Sequence, residues 1–375
     1  MPLKGVPCTI MRGGTSKGLF FRREDLPQDP LERERVLLKI FGSGDPMQID
    51  GLGGSHTHTS KAMIVWKSSR EDIDVEYLFG QVGIERRFID WTGNCGNLTS
   101  AIGPYSIEEN LVEAKEPKTV VRALNVNTGK RIDIVVPVEN GSVKYDGEFK
   151  IDGVPNPGAR IDTIWRDPGG AILKKGLLPT GNPRDYIEVN GEKYEATIID
   201  SANLAVFVRA EDIGLKGTEL PGEISKDVLD LLEKIRSKAA ELIGMVRDWR
   251  EATEKTPHQP FIAVIGERQS YKTSLGKHID RESYNVLVRL FSMQKMHHAI
   301  AVTGAIAVGS AARYPGTIVN ELSSSSTRKV VIGHPKGLID VDVEIESIDG
   351  KYTVSSVTIA RTARKLMKGI AYYQP

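Results

Sequence analysis

Two stretches of the chain, Leu98–Ile107 and His298–Ala312, contain no Asp, Glu, Lys or Arg and consist mostly of small or apolar residues. An α-helix without a polar face has to be buried on every side. Both stretches are shorter than the roughly 20 apolar residues that a membrane-spanning helix needs. The sequence therefore predicts two buried helices, each surrounded by other secondary structure.

Tight turns between strand-like segments indicate that much of the surrounding sheet is antiparallel. Asn-Gly and Asp-Gly pairs supply the positive φ angles that two-residue hairpin turns need. We expect three such hairpins: Arg131–Val138 with Ser142–Tyr145, Asp185–Val189 with Glu192–Asp200, and Leu338–Ser347 with Lys351–Ile359. Their turns are Asn140-Gly141, Asn190-Gly191 and Asp349-Gly350.

A third predicted helix is amphipathic and should pack on the outside of a sheet. Ser225 is a suitable N-cap. Apolar residues follow it at helical spacing: Val228, Leu231, Leu232, Ile235, Ala239, Leu242 and Met245. Because the two uncharged stretches lie about half a chain apart, we predict an α+β protein of two similar domains. Each would be a curled sheet around a buried helix.

Length and composition are those of a globular protein with more than one domain. A chain of 375 residues usually forms two cores, and the irregular stretch 168–185 is the expected boundary. We place the domains at 1–184 and 185–375, with the last strand able to return to the first domain. Fifty basic and 49 acidic residues give no net charge that would favour nucleic acid or an anionic membrane. Two cysteines and the lack of a signal-like N-terminal segment favour the cytoplasm.

One of the two cysteines, Cys95, lies in a glycine- and asparagine-rich turn, Trp91–Leu98, that opens the first uncharged stretch. A thiol at a helix start is close to unpaired backbone N–H groups and the positive end of the helix dipole. Both favour the reactive thiolate. Cys95 is therefore a candidate for moving protons, attacking carbon or holding a carboxylate. The alternative is a small buried hydrophobic residue, which is also our interpretation of Cys8 in the predicted first strand.

Lys61 stands at the mouth of the apolar segment Ala62–Trp66. Partial desolvation there favours the neutral amine, so Lys61 could act as a general base. Alternatively, its stem packs while its head reaches water. His56 and His58 precede it, but we expect them to point to opposite faces, and no third ligand cluster is apparent. We therefore expect no metal site.

The segment Met11–Gly18 combines Arg12, two glycines and the hydroxyls of Thr15 and Ser16. Arg12 could pair with a carboxylate through two parallel hydrogen bonds, and glycine lets the backbone approach a ligand. A plain turn with a surface arginine is the alternative. The spacing does not fit a phosphate-binding Walker loop, and Gly51–His56 does not fit a dinucleotide-binding fingerprint.

Two further candidates lie in the second half of the chain. Asn203 follows Asp200-Ser201-Ala202 in a turn between apolar strands, where it either orients a carboxylate or closes the turn. His298, next to His297, lies at the start of the second uncharged stretch, just before the predicted central helix. It either binds an anion at that helix start or is an ordinary histidine at such a position.

Six segments carry a resemblance to a known family: Arg12–Gly18, Gly51–Lys61, Gly93–Asn97, Asp200–Val208, Gly214–Glu219 and Arg361–Met367. On these segments, which span nearly the whole chain in order, the protein resembles the PrpF family. That family includes 2-methylaconitate cis–trans isomerase, 3-methylitaconate Δ-isomerase and 4-oxalomesaconate tautomerase. The resemblance implies a fold like that of diaminopimelate epimerase. Two pseudosymmetric β-barrel-like domains would each wrap around a central helix, with the site between them.

The resemblance also implies that Lys61 and Cys95 are the proton-handling pair, with no metal and no organic cofactor. Around this pair we expect substrate contacts from Arg12, Thr15, Ser16, Ser60, Asn94, Gly96, Asn97, Asn203 and His298. Diaminopimelate epimerase uses one cysteine from each domain, whereas the second half of this chain has none. This departure argues for an asymmetric proton shift. The resemblance to proteins of this fold is also compatible with this chain forming a homodimer.

These residues suit an isomerase of small unsaturated di- or tricarboxylates. Lys61 would remove an acidic allylic proton, and helix-start amides would stabilise the delocalised charge. Cys95 would return a proton or position the substrate. The alternatives are a 4-oxalomesaconate-type tautomerase, a non-catalytic accessory protein of an aconitase-like dehydratase and, with less support, an amino-acid epimerase.

Overall fold

The computed structural model describes residues 2–348 and 350–375, and the chain forms two compact units. The first unit contains Met1–Ile164 and Ala360–Pro375, and the second contains Trp165–Ile359. The C-terminal segment thus returns to the first unit. The chain enters the second unit after Ile164, earlier than the boundary expected after residue 184.

Strands make up most of the regular secondary structure of both units. In chain order the strands are β1 Lys4–Gly13, β2 Ser16–Arg22, β3 Lys61–Lys67, β4 Val75–Val82, β5 Ile89–Asp90, β6 Lys118–Asn125, β7 Lys130–Glu139, β8 Ser142–Val143, β9 Ile161–Arg166, β10 Asp185–Val189, β11 Glu192–Ser201, β12 Asn203–Arg209, β13 Phe261–Gly266, β14 Tyr271–Lys272, β15 His278–Ile279, β16 Val286–Ser292, β17 Lys295–Met296, β18 Lys329–His334, β19 Gly337–Ile348, β20 Lys351–Arg361 and β21 Ala363–Tyr373. The α-helices are α1 Pro30–Phe41, α2 Gly96–Glu108, α3 Lys226–Leu242, α4 Ala252–Lys255, α5 Val302–Arg313 and α6 Ile318–Leu322.

The sheet of the first unit is mixed. Its strands lie in the order β21-β1-β2-β3-β4-β6-β7, with β2–β3 and β4–β6 parallel and the other neighbours antiparallel. Parallel neighbours need a crossover connection. Helix α1 lies in the connection from β2 to β3, and α2 lies in the connection from β4 to β6.

Alternation along the strands gives this sheet two different faces. Leu19, Phe21 and Ile64 pack with residues of α1 in one hydrophobic cluster. Phe20, one position along, points the other way, and its ring lies 5.3 Å from the ring of Tyr105 in α2. Helix α1 therefore covers one face and α2 the other.

Helix α2 is the predicted central helix of the first unit. It is buried from Gly96 to Ile107 and contacts strands on both sides of the curled sheet, including β1, β2, β6 and β7. Gly103 allows this contact to be close, because a Cβ there would lie 2.5 Å from a methyl group of Val136. The buried helix expected at Leu98–Ile107 is confirmed.

The second unit repeats the arrangement of the first. Its strands lie in the order β10-β11-β12-β13-β16-β18-β19, with β12–β13 and β16–β18 parallel and the other neighbours antiparallel. Helix α3 lies in the connection from β12 to β13, and α5 lies in the connection from β16 to β18. The predicted α+β class, with two pseudosymmetric units each wrapped around a buried helix, is confirmed.

Helix α3 covers the outer face of the second sheet. Ser225 caps it by accepting a hydrogen bond from the N–H of Val228, as predicted. The helix ends at Leu242, which is 52% exposed and lies outside the buried stripe, whereas Met245, beyond the end of the helix, still packs against the same cluster. The buried residues of the stripe that pack against the sheet include Leu232, Ile235 and Ala239.

Helix α5 is the central helix of the second unit, buried from Val302 to Ala312. The uncharged stretch suggested a start at His298, but the helix begins at Val302. The residues before it are held by the sheet, since the N–H of His297 donates to the carbonyl of Leu290.

The irregular stretch 168–185 packs inside the second unit. The carboxylate of Asp200 accepts hydrogen bonds from the N–H groups of Ile172 and Leu173, and the N–H of Asp200 donates to the carbonyl of Leu177. These bonds attach the stretch to the turn between β11 and β12. The Gly and Pro residues of the stretch serve its many turns. Because the stretch is bonded to the β11–β12 turn, it belongs to the second unit, and the unit boundary precedes it.

The hairpin predictions are confirmed where the structure describes the turns. Asn140 and Gly141 have φ values of 53° and 70°, and Asn190 and Gly191 have values of 54° and 86°. In the third hairpin β19 pairs with β20, but Asp349 lies outside the described residues. Within residues 2–348 and 350–375, no helix has the length and apolar character that crossing a membrane would require.

We predict that Gly103→Val destabilises the protein, because the added methyl groups would overlap Val136 and Ile134. Overpacking a core costs about 1–3 kcal/mol. Urea unfolding followed by circular dichroism measures the change. Gly369→Val is the matched control, since a Cβ there approaches only the flexible side chain of Met367. Equal destabilisation by both variants would contradict the close packing of α2.

Cys8 is a core residue, as predicted. It is 3% exposed and packs in the cluster on the α1 face, and burial raises the pKa of its thiol to about 12. The thiol is therefore protonated at pH 9 and shielded from solvent. We expect Cys8 to resist iodoacetamide at pH 8.5 in the folded protein and to react in urea, as peptide mass spectrometry would show. Equal labelling rates under the two conditions would contradict this burial.

Candidate active site

The candidate site lies in the first unit, where the turn between β1 and β2 meets the start of α2. The Cys95 thiol donates a hydrogen bond to Ser16 Oγ over 3.7 Å, and both residues are buried. Asn97 Oδ1 accepts a hydrogen bond of 3.2 Å from the N–H of Thr15. These two contacts join residues that are about 80 positions apart in the chain.

The turn approaches the helix closely because two of its residues have no side chain. A Cβ at Gly13 would lie 2.5 Å from the carbonyl oxygen of Asn97, and one at Gly14 would lie 2.1 Å from Asn97 Oδ1. Gly14 also has a φ of +50°, which favours glycine. The sequence pattern predicts that these glycines bring the backbone close to a ligand. In the structure they allow contact with α2.

Lys61, the first residue of β3, is partly exposed on the same face of the sheet. Its neighbour in β2 is Gly18, where a Cβ would lie 2.7 Å from the carbonyl oxygen of Lys61 and 2.6 Å from the side chain of Leu98 in α2. Lys61 and Ser16 therefore stand on neighbouring strands, offset by two residues. Strand spacing and rise place such Cα atoms about 8 Å apart. The amine and the Cys95 thiol thus share the face that α2 covers.

Two residues of β4 hold the amine of Lys61. Gln81 lies opposite Lys61 in the antiparallel pair, and its Oε1 accepts a hydrogen bond of 2.5 Å from Lys61 Nζ. Lys61 Nζ also lies 5.2 Å from the centre of the Phe79 ring. Sequence reasoning missed Gln81. Its signal was weak, since one glutamine in a mainly apolar strand does not reveal what lies opposite it.

A buried hydrogen-bond network fixes the backbone on both sides of Cys95. Asn94 Nδ2 donates to Tyr77 Oη over 2.9 Å, and Thr99 Oγ1 lies 3.1 Å from the same oxygen. Thr99 Oγ1 also donates to the carbonyl of Cys95. Burial raises the pKa of Tyr77, so its hydroxyl stays neutral. Asn94 therefore supports the loop, and Tyr77 is a second residue that sequence reasoning missed.

Helix α2 begins without a side-chain cap and without an acidic residue in its first turn. The first backbone N–H groups of a helix have no partner within the helix, and the helix dipole adds positive potential there. The N–H groups of Gly96, Asn97 and Leu98 therefore suit an anion. Gly96 and Asn97 offer backbone donors, while the Asn97 side chain holds the turn.

Arg12 lies on the other face of the sheet. Met11 and Gly13 face α2, so alternation directs Arg12 away from it. Its Nη1 donates to the carbonyls of Gly14 and Thr362 over 2.9 and 3.0 Å. Burial and, to a smaller extent, the nearby Arg364 lower the pKa of Arg12. Arg12 therefore stabilises the turn between β1 and β2. Its direct contact with a substrate carboxylate stays a prediction.

Ser60 has no exposed surface and supports the loop before β3. Its hydroxyl donates to Gln48 Oε1 over 2.6 Å and accepts from the N–H of Gly54. In the same loop the rings of His56 and His58 stack 5.3 Å apart, so the expectation that they point to opposite faces is wrong. The expectation is mistaken at its root, because residues i and i+2 share a face even in an extended chain, and here the segment forms a turn. Among the described residues, no three His, Cys, Asp or Glu side chains are grouped as metal ligands.

Asn203 and His298 belong to the second unit. Asn203 is buried, and its Oδ1 accepts a hydrogen bond from the adjacent N–H of Leu204, which closes the β11–β12 turn. His298 is exposed and precedes α5, whose N-cap is Ala301. The placement of His298 at a helix start is therefore wrong, because the central helix begins later than predicted.

Comparison with known proteins identifies the family. The model of the family described as "PrpF protein" matches residues 3–374. The 3-methylitaconate isomerase of Eubacterium barkeri is 42% identical over 98% of this chain and 97% of its own length. The 2-methyl-aconitate isomerase of Shewanella oneidensis is 40% identical over 97% and 96%. A crystal structure of methylitaconate-delta-isomerase has a TM-score of 0.85 and 41% identity, covering 100% of this chain and 96% of that chain. The chain therefore belongs to the PrpF family.

Proposed function

We propose that the protein is an isomerase that moves a proton on small unsaturated di- or tricarboxylates. Candidate reactions are the cis–trans isomerisation of 2-methylaconitate and the double-bond shift of 3-methylitaconate, which match the names of the two relatives. The observation that carries the proposal is the position of the Lys61 amine and the Cys95 thiol on one face of one sheet, beside an uncapped helix start.

Lys61 is the proposed base. In a substrate of this class, the C–H next to the conjugated double bond is acidic, because the resulting charge spreads into a carboxylate. The Lys61 amine takes that proton, so the C–H bond breaks and an N–H bond forms. The hydrogen bond to Gln81 Oε1 sets the direction from which the amine acts. No metal or organic cofactor is needed for this step.

The start of α2 is the proposed site for the developing negative charge. Its N–H groups are already oriented by the helix, so they incur no reorganisation cost as the charge forms. The Tyr77–Asn94–Thr99 network keeps the loop and the first turn in register. Thr15 and Ser16, in the adjoining turn, supply hydroxyl groups that suit a second carboxylate.

Cys95 is the proposed acid that returns a proton to a different carbon. Its hydrogen bond to Ser16 Oγ orients the thiol, which lies at the N-cap of α2. Transfer from sulfur to carbon completes the double-bond shift. The Lys61 ammonium then releases its proton to solvent and the Cys95 thiolate takes one up, which restores both groups. We place this chemistry in the cytoplasm, where a free thiol stays reduced.

The repeated topology supports an asymmetric reaction. Strand β13 occupies the place of β3 in the second unit and begins with Phe261, where β3 begins with Lys61. Helix α5 occupies the place of α2, and its N-cap is Ala301, where that of α2 is Cys95. Neither Phe261 nor Ala301 can carry a proton. The proposed proton transfer therefore uses residues of one unit only.

The first test of this function is isotope exchange. Purified protein incubated in deuterated water with 2-methylaconitate, 3-methylitaconate or 4-oxalomesaconate should isomerise at least one of them and place deuterium in the product, as NMR would detect. Lys61→Ala should lower the rate by a factor of about 100–10,000, the usual contribution of a general base. Lys67→Ala, at the exposed end of the same strand, is the matched control and should keep the wild-type rate.

Absence of isomerisation and exchange with all three substrates would overturn the proposed function. A Lys61→Ala variant that retains the wild-type rate would overturn the assignment of the base. Full biological function of that variant, without catalysis, would favour the accessory role.

We further predict that Cys95→Ser separates the two proton transfers. Serine keeps the shape but is a poorer acid than a thiol, so the return of the proton should slow by at least about tenfold. Exchange of the allylic proton with deuterated water should continue, because Lys61 is intact. Cys8→Ser, which changes the cysteine on the opposite face, is the control for loss of a thiol. If Cys95→Ser stops exchange and isomerisation together, Cys95 is not the returning acid.

A further inference from the structure

The amine of Lys61 is held by an uncharged group. Its partner is the amide oxygen of Gln81, which is 8% exposed. In the described part of the chain, no carboxylate lies within ion-pair distance of Lys61. A carboxylate in the place of Gln81 would favour the ammonium form and oppose proton uptake from substrate.

The orientation of the Gln81 amide is fixed by its other hydrogen bonds. Gln81 Nε2 donates to the carbonyls of Thr57 and Ser60, each over 3.0 Å. Both amide hydrogens are therefore committed, and only the oxygen can face Lys61. A flipped amide would point its hydrogens at the amine and leave an oxygen against two carbonyl oxygens, which costs about 1–3 kcal/mol per unsatisfied group.

The surroundings of the amine leave room for it to react. One of the three donor positions of Lys61 Nζ is used by Gln81. The Phe79 ring, 5.2 Å from the nitrogen, closes another side with an apolar surface. Since the ring and the amide both belong to β4, the position of the nitrogen is set by the register of β3 and β4.

We infer that Gln81 is a positioning residue that aims the Lys61 amine at the reacting carbon while leaving it free to gain and lose a proton. This inference rests on the proposed function of Lys61. Turnover then requires that residue 81 is uncharged, and not only that it has the shape of glutamine.

The experiment compares two substitutions of similar size. Gln81→Glu adds a negative charge, and Gln81→Met adds none. Both remove the donors to Thr57 and Ser60, so the loss of these two hydrogen bonds is common to the two variants. We expect Gln81→Glu to move the rising limb of the kcat/KM profile up by about one pH unit or more, as for a new adjacent opposite charge, with at least about a tenfold loss at neutral pH. Gln81→Met should lower kcat without moving the limb upward.

A second readout does not depend on turnover. Trace acetylation with acetic anhydride at a series of pH values, followed by peptide mass spectrometry, reports the pH at which each lysine becomes nucleophilic. Gln81→Glu should shift the labelling curve of Lys61 to higher pH. It should leave that of Lys67, at the exposed end of the same strand, unchanged.

The two readouts separate the possible failures. A wild-type protein that isomerises nothing, with a shifted Lys61 curve in Gln81→Glu, would overturn the proposed function but keep the role of Gln81. Active wild-type protein with identical profiles and labelling curves in Gln81→Glu and Gln81→Met would overturn the role of Gln81. If either variant fails to fold, Gln81→Asp against Gln81→Asn gives the same comparison of charge at matched size.

Discussion

The site depends on the contact between the β1–β2 turn and the first turn of α2. Gly13 and Gly14 bring the two backbones together at distances that no side chain would allow. The contact places Ser16 Oγ beside the Cys95 thiol and Thr15 N–H on Asn97. Because α2 is buried along its length, its start cannot move without disturbing the core. A thiol and a row of N–H groups are thus held in place by packing, and catalysis can use this rigidity.

The alternation of side chains along the strands places the polar candidate residues on one face of the sheet. Lys61, Gln81 and Ser16 face α2, whereas Cys8 and Arg12 face the other way. The two cysteines of the chain are thereby separated in environment as well as in position. Burial keeps the Cys8 thiol protonated and apolar in character, while Cys95 lies at the positive end of a helix. The same residue type therefore occupies two different environments, one on each side of the sheet.

Local patterns in the sequence predict those parts of the structure that are decided within a few residues. The uncharged helices, the Asn-Gly turns and the Ser225 cap are of this kind. Lys61 and Cys95 stand out as candidates because each precedes an apolar element and lies in a segment that carries the family resemblance. Gln81 and Tyr77 are not, because their roles arise from strand register and from contacts across the sheet. Helix α5 is predicted too early and the unit boundary too late, since in both cases backbone hydrogen bonds to the sheet hold segments that look irregular in sequence.

A base that has to accept and release a proton needs precise placement without a fixed charge state. An ion pair would fix the position of the Lys61 amine but would also favour its ammonium form. Solvent alone would do neither. A neutral amide, locked by two backbone carbonyls, gives placement alone. The second unit repeats the topology but begins its equivalent strand with Phe261, so nothing there needs such a support. In the proposed mechanism the chemistry is therefore asymmetric at the level of single residues, although the two units share one topology.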